Sequence, residues 1–380
     1  MSDRELADAF TQAVSQLGPA LLAALDGMEA AQRHLHPPEI ETYKDKLRPV
    51  HARMASALSV FCEQPAPPDL TDFRTQLQQA AQDATRALEL FTQPAPASEL
   101  VPRMLQSMRE HTHAQESLFP LRKALPPANR YFLEEPLRFS DDEGSGHLEA
   151  FDPPLPDGVS VGIHSAAGDA NGRGGFHLYI PERYDGSESW PLVVALHGGS
   201  GDGRGFLWTW LREARSRRFL LLAPTSRGST WSLNGLDVDA RALRSMVSYV
   251  SEHWNVDSER VLLTGLSDGA TYSLLCGLQE DMPFTALAPL SGVFHPSNLS
   301  NGNLERAAGR RIYLVHGALD WMFPVQIAQM ARDVLEKAGA ELVYREIADL
   351  SHTYARDEND RILRWFDPSL ALPSRPQAES

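Results

Sequence analysis

Cysteine is scarce in this chain: there are two in 380 residues, Cys62 and Cys276, one in each half. Two isolated thiols build no disulfide framework, and neither has metal-ligand spacing, so a reducing compartment is the simpler expectation. Long apolar runs are missing too. None reaches the roughly 18 residues that a membrane-spanning helix needs, and the acidic, polar opening Met1-Ser2-Asp3-Arg4-Glu5-Leu6 lacks the apolar stretch of a signal peptide. No membrane insertion is expected, and the expected location is cytoplasmic. Basic charge is in deficit, 35 Lys and Arg against 50 Asp and Glu for a net charge of −15, with pI near 5.3. With no basic stretch to neutralise phosphates, nucleic acid and anionic membranes are excluded as expected partners. The local exception, Arg212, Arg215, Arg217 and Arg218, reads as the solvated face of a helix. What remains is 42% hydrophobic with a mean hydropathy of −0.31, ordinary for a globular core, and the length allows two domains or one large one.

The first third has helical texture. Leu6, Phe10, Val14, Leu17, Leu21 and Leu25 recur at three- and four-residue spacing, which predicts one amphipathic helix interrupted or kinked near Gly18-Pro19. Three more helices are expected over Glu39–Phe61, Leu70–Phe91 and Glu99–Leu125. They are separated by Pro37-Pro38, Gln64-Pro65-Ala66-Pro67-Pro68 and Gln93-Pro94-Ala95-Pro96, which stop helices and stiffen short connections. A four-helix bundle over residues 1–130 follows, with the two Gln-Pro-Ala-Pro runs suggesting an internal helix repeat or a coincidence. His34, His36, His111 and His113 invite a metal-site reading. However, His-x-His on a helix sends the two rings to different faces, and Glu-x-x-His occurs only as Glu110 with His113, so no metal is expected. Self-association, a lid or partner binding are the roles open to this bundle.

Residues 131–156 read as a linker rich in Pro, Asp and Glu, most mobile at Asp141-Asp142-Glu143-Gly144-Ser145-Gly146. A catalytic domain is expected over 157–370 and a flexible tail over 371–380. In that domain, Val159–Ile163 and Phe176–Ile180 look like antiparallel edge strands. Apolar strands near Leu192, Phe219, Val261, Ala286, Ile312 and Leu342 then alternate with helices, which predicts an α/β, doubly wound, mostly parallel sheet.

The chemistry gathers at the strand ends. Gly265-Leu266-Ser267-Asp268-Gly269 lies between the apolar run Arg260–Thr264 and a helical run from Ala270, the strand, sharp turn and helix of a nucleophile elbow. Glycines two before and two after the serine permit strained dihedrals and close packing of helix on strand, leaving the Ser267 hydroxyl exposed for acyl transfer. The strand Arg311–Val315 runs into His316-Gly317-Ala318-Leu319-Asp320 and places Asp320 just past its end, as an orienting acid or as a cap for the helix near Val325. His352 follows the last strand, Glu341–Ile347, where Nε2 can reach Ser267 while Nδ1 points at Asp320. The apolar strand Pro191–Leu196 ends in His197-Gly198-Gly199-Ser200-Gly201, which makes the Gly199 and Asp268 amides the expected oxyanion donors and His197 a residue that holds this loop.

With those motifs in place, the region from about Val159 to Phe366 resembles the α/β-hydrolase superfamily. Its nearest likeness is to the phospholipase/carboxylesterase-like branch and the related feruloyl-esterase and polyhydroxyalkanoate-depolymerase-like enzymes. The resemblance implies a serine ester hydrolase without metal or organic cofactor, with Ser267 as nucleophile, His352 as general base, Asp320 as its partner, and Gly199 with Asp268 as oxyanion donors. Several relatives carry Gln or Ala where this chain has Asp268; its carboxylate is therefore expected to point away from the oxyanion, leaving only its amide in use. Gly198, Trp208, Trp231, Phe294 and Trp321 are the expected substrate-binding residues for a small-molecule ester with a short acyl or aryl group. A serine peptidase or amidase of the same fold and a catalytically silent scaffold are the competing readings.

Overall fold

The computed structural model describes residues 2–138, 146–155, 158–170 and 172–372. The chain divides into two units, one from Met1 to Leu133 and one from Glu134 to Ser380. The stretch 141–145 and the tail from 373 onward, expected to be mobile, lie outside the described residues.

The first unit is an antiparallel helical bundle of α1 (Asp3–Arg33), α2 (Ile40–Glu63), α3 (Thr71–Thr92) and α4 (Ala97–Leu118). Its order follows from local chemistry. Ser2 and Glu5 form a reciprocal capping box at the start of α1, and the two Gln-Pro-Ala-Pro runs end α2 and α3 with Gln64 and Gln93 in extended conformation, as a following proline demands. The interruption expected at Gly18-Pro19 is absent: α1 runs through Pro19, because Leu17, Ala20, Leu21, Ala24 and Leu25 are buried on both sides of it and hold the axis. The last helix is shorter than expected, since Pro120 turns the chain into a 3-10 segment, Phe119–Lys123. His111 is a buried core residue that bonds Gln32 through Nδ1 and donates from Nε2 to the Leu25 carbonyl.

The second unit is built on one eight-stranded sheet: β1 (Gly162–Ala166), β2 (Phe176–Ile180), β3 (Trp190–Leu196), β4 (Leu220–Pro224), β5 (Val256–Leu266), β6 (Ala286–Leu290), β7 (Arg311–Gly317) and β8 (Glu341–Ile347). The order is β1-β2-β4-β3-β5-β6-β7-β8. β1 and β2 pair antiparallel, as does β2 with β4, and every later pairing is parallel. Helices α5 (Asp239–His253), α6 (Asp268–Gly277), α7 (Val325–Lys337) and α8 (Asn359–Phe366) are among the crossovers and the closing element. All seven residues of β3 are buried, the uniform apolar pattern of a parallel strand covered on both faces. Parallel pairing brings the C-terminal ends of β3, β5, β7 and β8 to one edge of the sheet, where the candidate loops emerge.

The arginine cluster is not a solvated face. Arg212, Arg215 and Arg217 are buried: Arg215 pairs with Asp152 at 2.6 Å, and Arg217 pairs with Glu134 at 2.5 Å and Asp360 at 2.7 Å, while only Arg218 is exposed, beside Glu188. These cations fasten the segment ahead of β1 to the sheet, because burying a guanidinium requires a carboxylate to meet it.

Candidate active site

Strand β5 ends at Leu266, and the next residue, Ser267, adopts φ 57°, ψ −117° before α6 begins at Asp268. The flanking glycines do not carry that strain themselves; neither is among the residues with positive φ. Their role is close approach. A Cβ on Gly265 would stand 2.6 Å from the Gly269 carbonyl carbon, and one on Gly269 would stand 2.5 Å from both the Leu196 and His197 carbonyl oxygens. The serine is pinned from both sides: its N–H donates to Leu290 O at 3.0 Å and its carbonyl accepts from Thr271 N at 2.9 Å. A non-glycine residue keeps such a conformation only when its surroundings over-determine it, as they do here.

His352 Nε2 lies 2.9 Å from Ser267 Oγ, and His352 Nδ1 lies 2.8 Å from Asp320 Oδ2. The tautomer that fits both is Nδ1–H donating to the carboxylate, with the Nε2 lone pair facing the hydroxyl. The reason the histidine arrives there is local. A Cβ on Gly317 would stand 2.2 Å from Leu350 O, so only glycine lets the loop after β8 cross the end of β7. That loop is then sewn down by Ala318 N donating to Ile347 O at 2.9 Å and Leu319 N to Leu350 O at 3.0 Å. Asp320 itself is fully engaged. Its Oδ1 accepts the amides of Met322 (2.9 Å) and Phe323 (2.8 Å), while Oδ2 faces His352 and, at 3.4 Å, Nε2 of the buried His316. It therefore closes its own turn rather than capping α7, whose N-cap is Pro324. Phe323 sets its ring edge-on to His352 at 5.1 Å, which leaves the imidazole little freedom to rotate.

Beside the serine lies the loop Gly198–Gly201. A Cβ on Gly198 would meet Ser267 Cβ at 3.5 Å, and the loop folds back so that Gly201 N donates to Gly198 O at 3.1 Å. Among the described residues, neither the Gly199 N–H nor the Asp268 N–H has an acceptor, which is the state expected of donors reserved for a developing oxyanion. His197 holds this loop from beneath. Its Nδ1 donates to Gly198 O at 2.7 Å, its Nε2 accepts from Ser226 N at 3.1 Å, and its carbonyl accepts from Trp231 Nε1 at 2.8 Å. Burial pushes the His197 imidazole down to about 4, so it serves as a neutral strut with one fixed tautomer.

The Asp268 side chain has a partner of its own: its Oδ2 accepts from Thr230 Oγ1 at 2.6 Å and sits 2.8 Å from where a Gly199 Cβ would be, so the carboxylate packs on the Cα side of Gly199. The hydroxyl of Thr230 draws it there, a partner that no motif in the sequence announced. Of the residues expected to bind substrate, Trp208 and Trp231 are both buried, and Trp231 stacks on Tyr272 at 5.5 Å while its indole N–H donates to the His197 carbonyl. Phe294 is half-buried against the sheet's core, whereas Trp321, 53% exposed between Leu319 (41%) and Met322 (49%), makes an apolar rim around the turn that carries Asp320. Arg227 binds Asp239 through its backbone N–H at 2.9 Å, not through its guanidinium. Two other serines also have positive φ, Ser200 (60°) in the loop after β3 and Ser291 (54°), which follows β6 next to the elbow, and neither had a signature in the sequence.

Residues 233–366 match the phospholipase/carboxylesterase family. A probable feruloyl esterase C of Aspergillus clavatus is 29% identical over 149 residues, covering 37% of this chain and 50% of that protein. A bifunctional acetylxylan esterase/xylanase of Neocallimastix patriciarum is 28% identical over 150 residues, covering 38% and 21% respectively. The chain thus spans half or less of the length of these curated relatives. Among solved structures, fluorophosphonate-binding serine hydrolase F of Staphylococcus aureus aligns with a TM-score of 0.45 at 15% identity, over 55% of this chain and 98% of that one. No helix among the described residues is long and apolar enough to cross a membrane. In its family match and its mostly parallel eight-stranded sheet, the C-terminal unit is similar to the phospholipase/carboxylesterase branch of the α/β-hydrolases.

Proposed function

We propose that this chain is a serine carboxylic-ester hydrolase working through Ser267, His352 and Asp320 and an acyl-enzyme. The observation that carries the reading is the unbroken chain of contacts from Ser267 Oγ through the two nitrogens of His352 to Asp320, at 2.9 and 2.8 Å. In the forward step His352 Nε2 takes the Ser267 proton as the oxygen attacks the ester carbonyl; Asp320 holds the imidazole in its tautomer and faces the imidazolium that forms. Negative charge gathers on the carbonyl oxygen, where the unpaired Gly199 and Asp268 amides meet it. The alcohol leaves with the proton from His352. Water then attacks the acyl-enzyme by the same route and frees the serine.

The substrate class in this proposal is small-molecule esters with a short or aromatic acyl group. The exposed apolar rim of Leu319, Trp321 and Met322 supports it, as do the names of the relatives, a feruloyl esterase and an acetylxylan esterase. A cytoplasmic location and self-association through the helical unit stay within the same proposal, the first resting on the two free thiols. Hydrolysis of p-nitrophenyl esters from acetate to palmitate, with Ser267→Ala as control, tests the reading. Turnover that peaks at short chains and vanishes in the variant supports it; turnover of amides in preference to esters moves the assignment to a peptidase.

A further inference from the structure

The oxyanion loop is held by a cation that lies far from every motif. Arg173 sits on the connection between β1 and β2, outside the residues that match the family. Its guanidinium donates from Nη1 to Gly201 O at 2.7 Å, from Nε to Ser226 O at 3.1 Å, and from Nη2 to Ser226 Oγ. Among the described residues it forms no ion pair with a carboxylate, and its three side-chain bonds all go to these two loops. Gly201 O has no other donor among the described residues.

Those two loops are the ones that matter for the oxyanion. Gly201 closes the turn on Gly198, and Ser200 N donates to Ser229 O at 2.9 Å. Ser226 supplies the amide that fixes His197, and Thr230 engages Asp268. The backbone at Arg173 and Gly174 is tied down as well: Arg173 N donates to Asp169 Oδ1 at 3.0 Å, and Gly174 N donates to Ser226 O at 3.2 Å. A planar fork with several donors can span two carbonyls and a hydroxyl at once; an ammonium presents its donors from a single point and cannot.

We propose that Arg173 is a positioning residue of the oxyanion hole, clamping the Gly198–Gly201 turn to the Thr225–Trp231 loop so that the Gly199 N–H faces the oxyanion formed at Ser267. This rests on the esterase reading above. Without the clamp, Gly201 O loses its partner and the turn relaxes away from the serine. A displacement on the order of 1 Å at such a donor costs about 100-fold in rate.

The test compares the wild type with Arg173→Ala and Arg173→Lys in the full chain, using p-nitrophenyl acetate turnover and inhibition by an alkylboronic acid, whose tetrahedral serine adduct needs the same donors. For Arg173→Ala, kcat is expected to fall about 100-fold while KM changes less than about threefold, with boronate affinity falling in step with kcat. Guanidinium ion at sub-denaturing concentration restores part of the Arg173→Ala rate, whereas sodium chloride at equal strength does not. Arg173→Lys recovers only a fraction. A kcat for Arg173→Ala within about twofold of wild type, or a loss confined to KM, overturns the inference. If Arg173→Ala does not fold, Arg173→Lys decides: wild-type kcat and boronate affinity in that variant overturn it equally. Failure of the esterase reading looks different, because the wild type would then be inactive or Ser267→Ala would keep its rate.

Discussion

Replacing Ser267 by glycine and by alanine, and comparing the two, isolates the backbone strain at the elbow. Both variants lose the hydroxyl and its contact to His352, so that loss cancels. At a buried site with ordinary dihedrals, glycine is the less stable of the pair. It adds about 0.4–1 kcal/mol of unfolded-state entropy and forfeits about 0.8 kcal/mol of buried methyl. At 267 the φ of 57° with ψ of −117° penalises alanine by about 1–3 kcal/mol and glycine hardly at all. The terms oppose each other, about 1–3 kcal/mol against about 1.2–1.8, so where an ordinary site would leave the glycine variant about 1.2–1.8 kcal/mol the weaker, here it should range from about 0.8 kcal/mol less stable than the alanine variant to about 2 kcal/mol more stable. For a unit of this size that is a melting-temperature gain of up to roughly 4–8 °C. All seven tryptophans lie between Trp190 and Trp365, so indole fluorescence follows the unfolding of the C-terminal unit without interference from the helical bundle. A glycine variant less stable than the alanine variant by about 1 kcal/mol or more would refute the reasoning and show that the elbow is relaxed.

Two further outcomes follow from the support beneath the oxyanion loop. His197 is held near 4 in the folded chain against 6.5 for the free side chain, so the unfolded state binds the proton first; stability is fully present above pH 6.5 and falls as pH drops toward 4, by on the order of 3 kcal/mol. Urea unfolding followed by tryptophan fluorescence across that window should show the loss in the wild type and a flatter profile in His197→Asn. Gly199→Ala would set a Cβ 2.8 Å from Asp268 Oδ2, and the flexible end of that side chain cannot retreat without releasing Thr230. Displacement of the Gly199 amide should cut kcat by about 100- to 1,000-fold in ester turnover with near-normal melting, and an unchanged kcat would remove Gly199 from the oxyanion hole.

The parts of this molecule that were legible in the sequence are those set by short-range pattern. Strand, elbow and helix around Ser267 follow from an apolar run, two spaced glycines and a helical run. The order of Ser267, Asp320 and His352 along the chain suffices to put them at strand ends on one edge of a parallel sheet. The bundle was legible for the same reason, in the three- and four-residue spacing of its leucines and the prolines between helices.

What the sequence concealed depends on contacts between distant loops. No motif announces that the Asp268 carboxylate is held by the hydroxyl of Thr230, 38 residues earlier. Arg215 and Arg217 look like surface charges until Asp152, Glu134 and Asp360 are brought to them by the fold. Trp231 reads as a pocket residue by its place after a strand, yet its indole N–H is claimed by the His197 carbonyl. Gly317 is the instructive middle case. The His-Gly pair was visible as a motif, but its physical purpose, to let the Leu350 carbonyl pass and so deliver His352 to Asp320, needs the crossing loop to be seen.

The central claim is that Ser267 is an activated nucleophile, and the most direct test is turnover of p-nitrophenyl acetate by the full chain beside its Ser267→Ala variant, with labelling by a fluorophosphonate probe mapped to the modified residue. The account predicts ester hydrolysis in the wild type, label on Ser267 alone, and a fall in kcat of several orders of magnitude in a variant that still folds. Undiminished turnover in Ser267→Ala, or a reactive probe that settles on another residue, would contradict it.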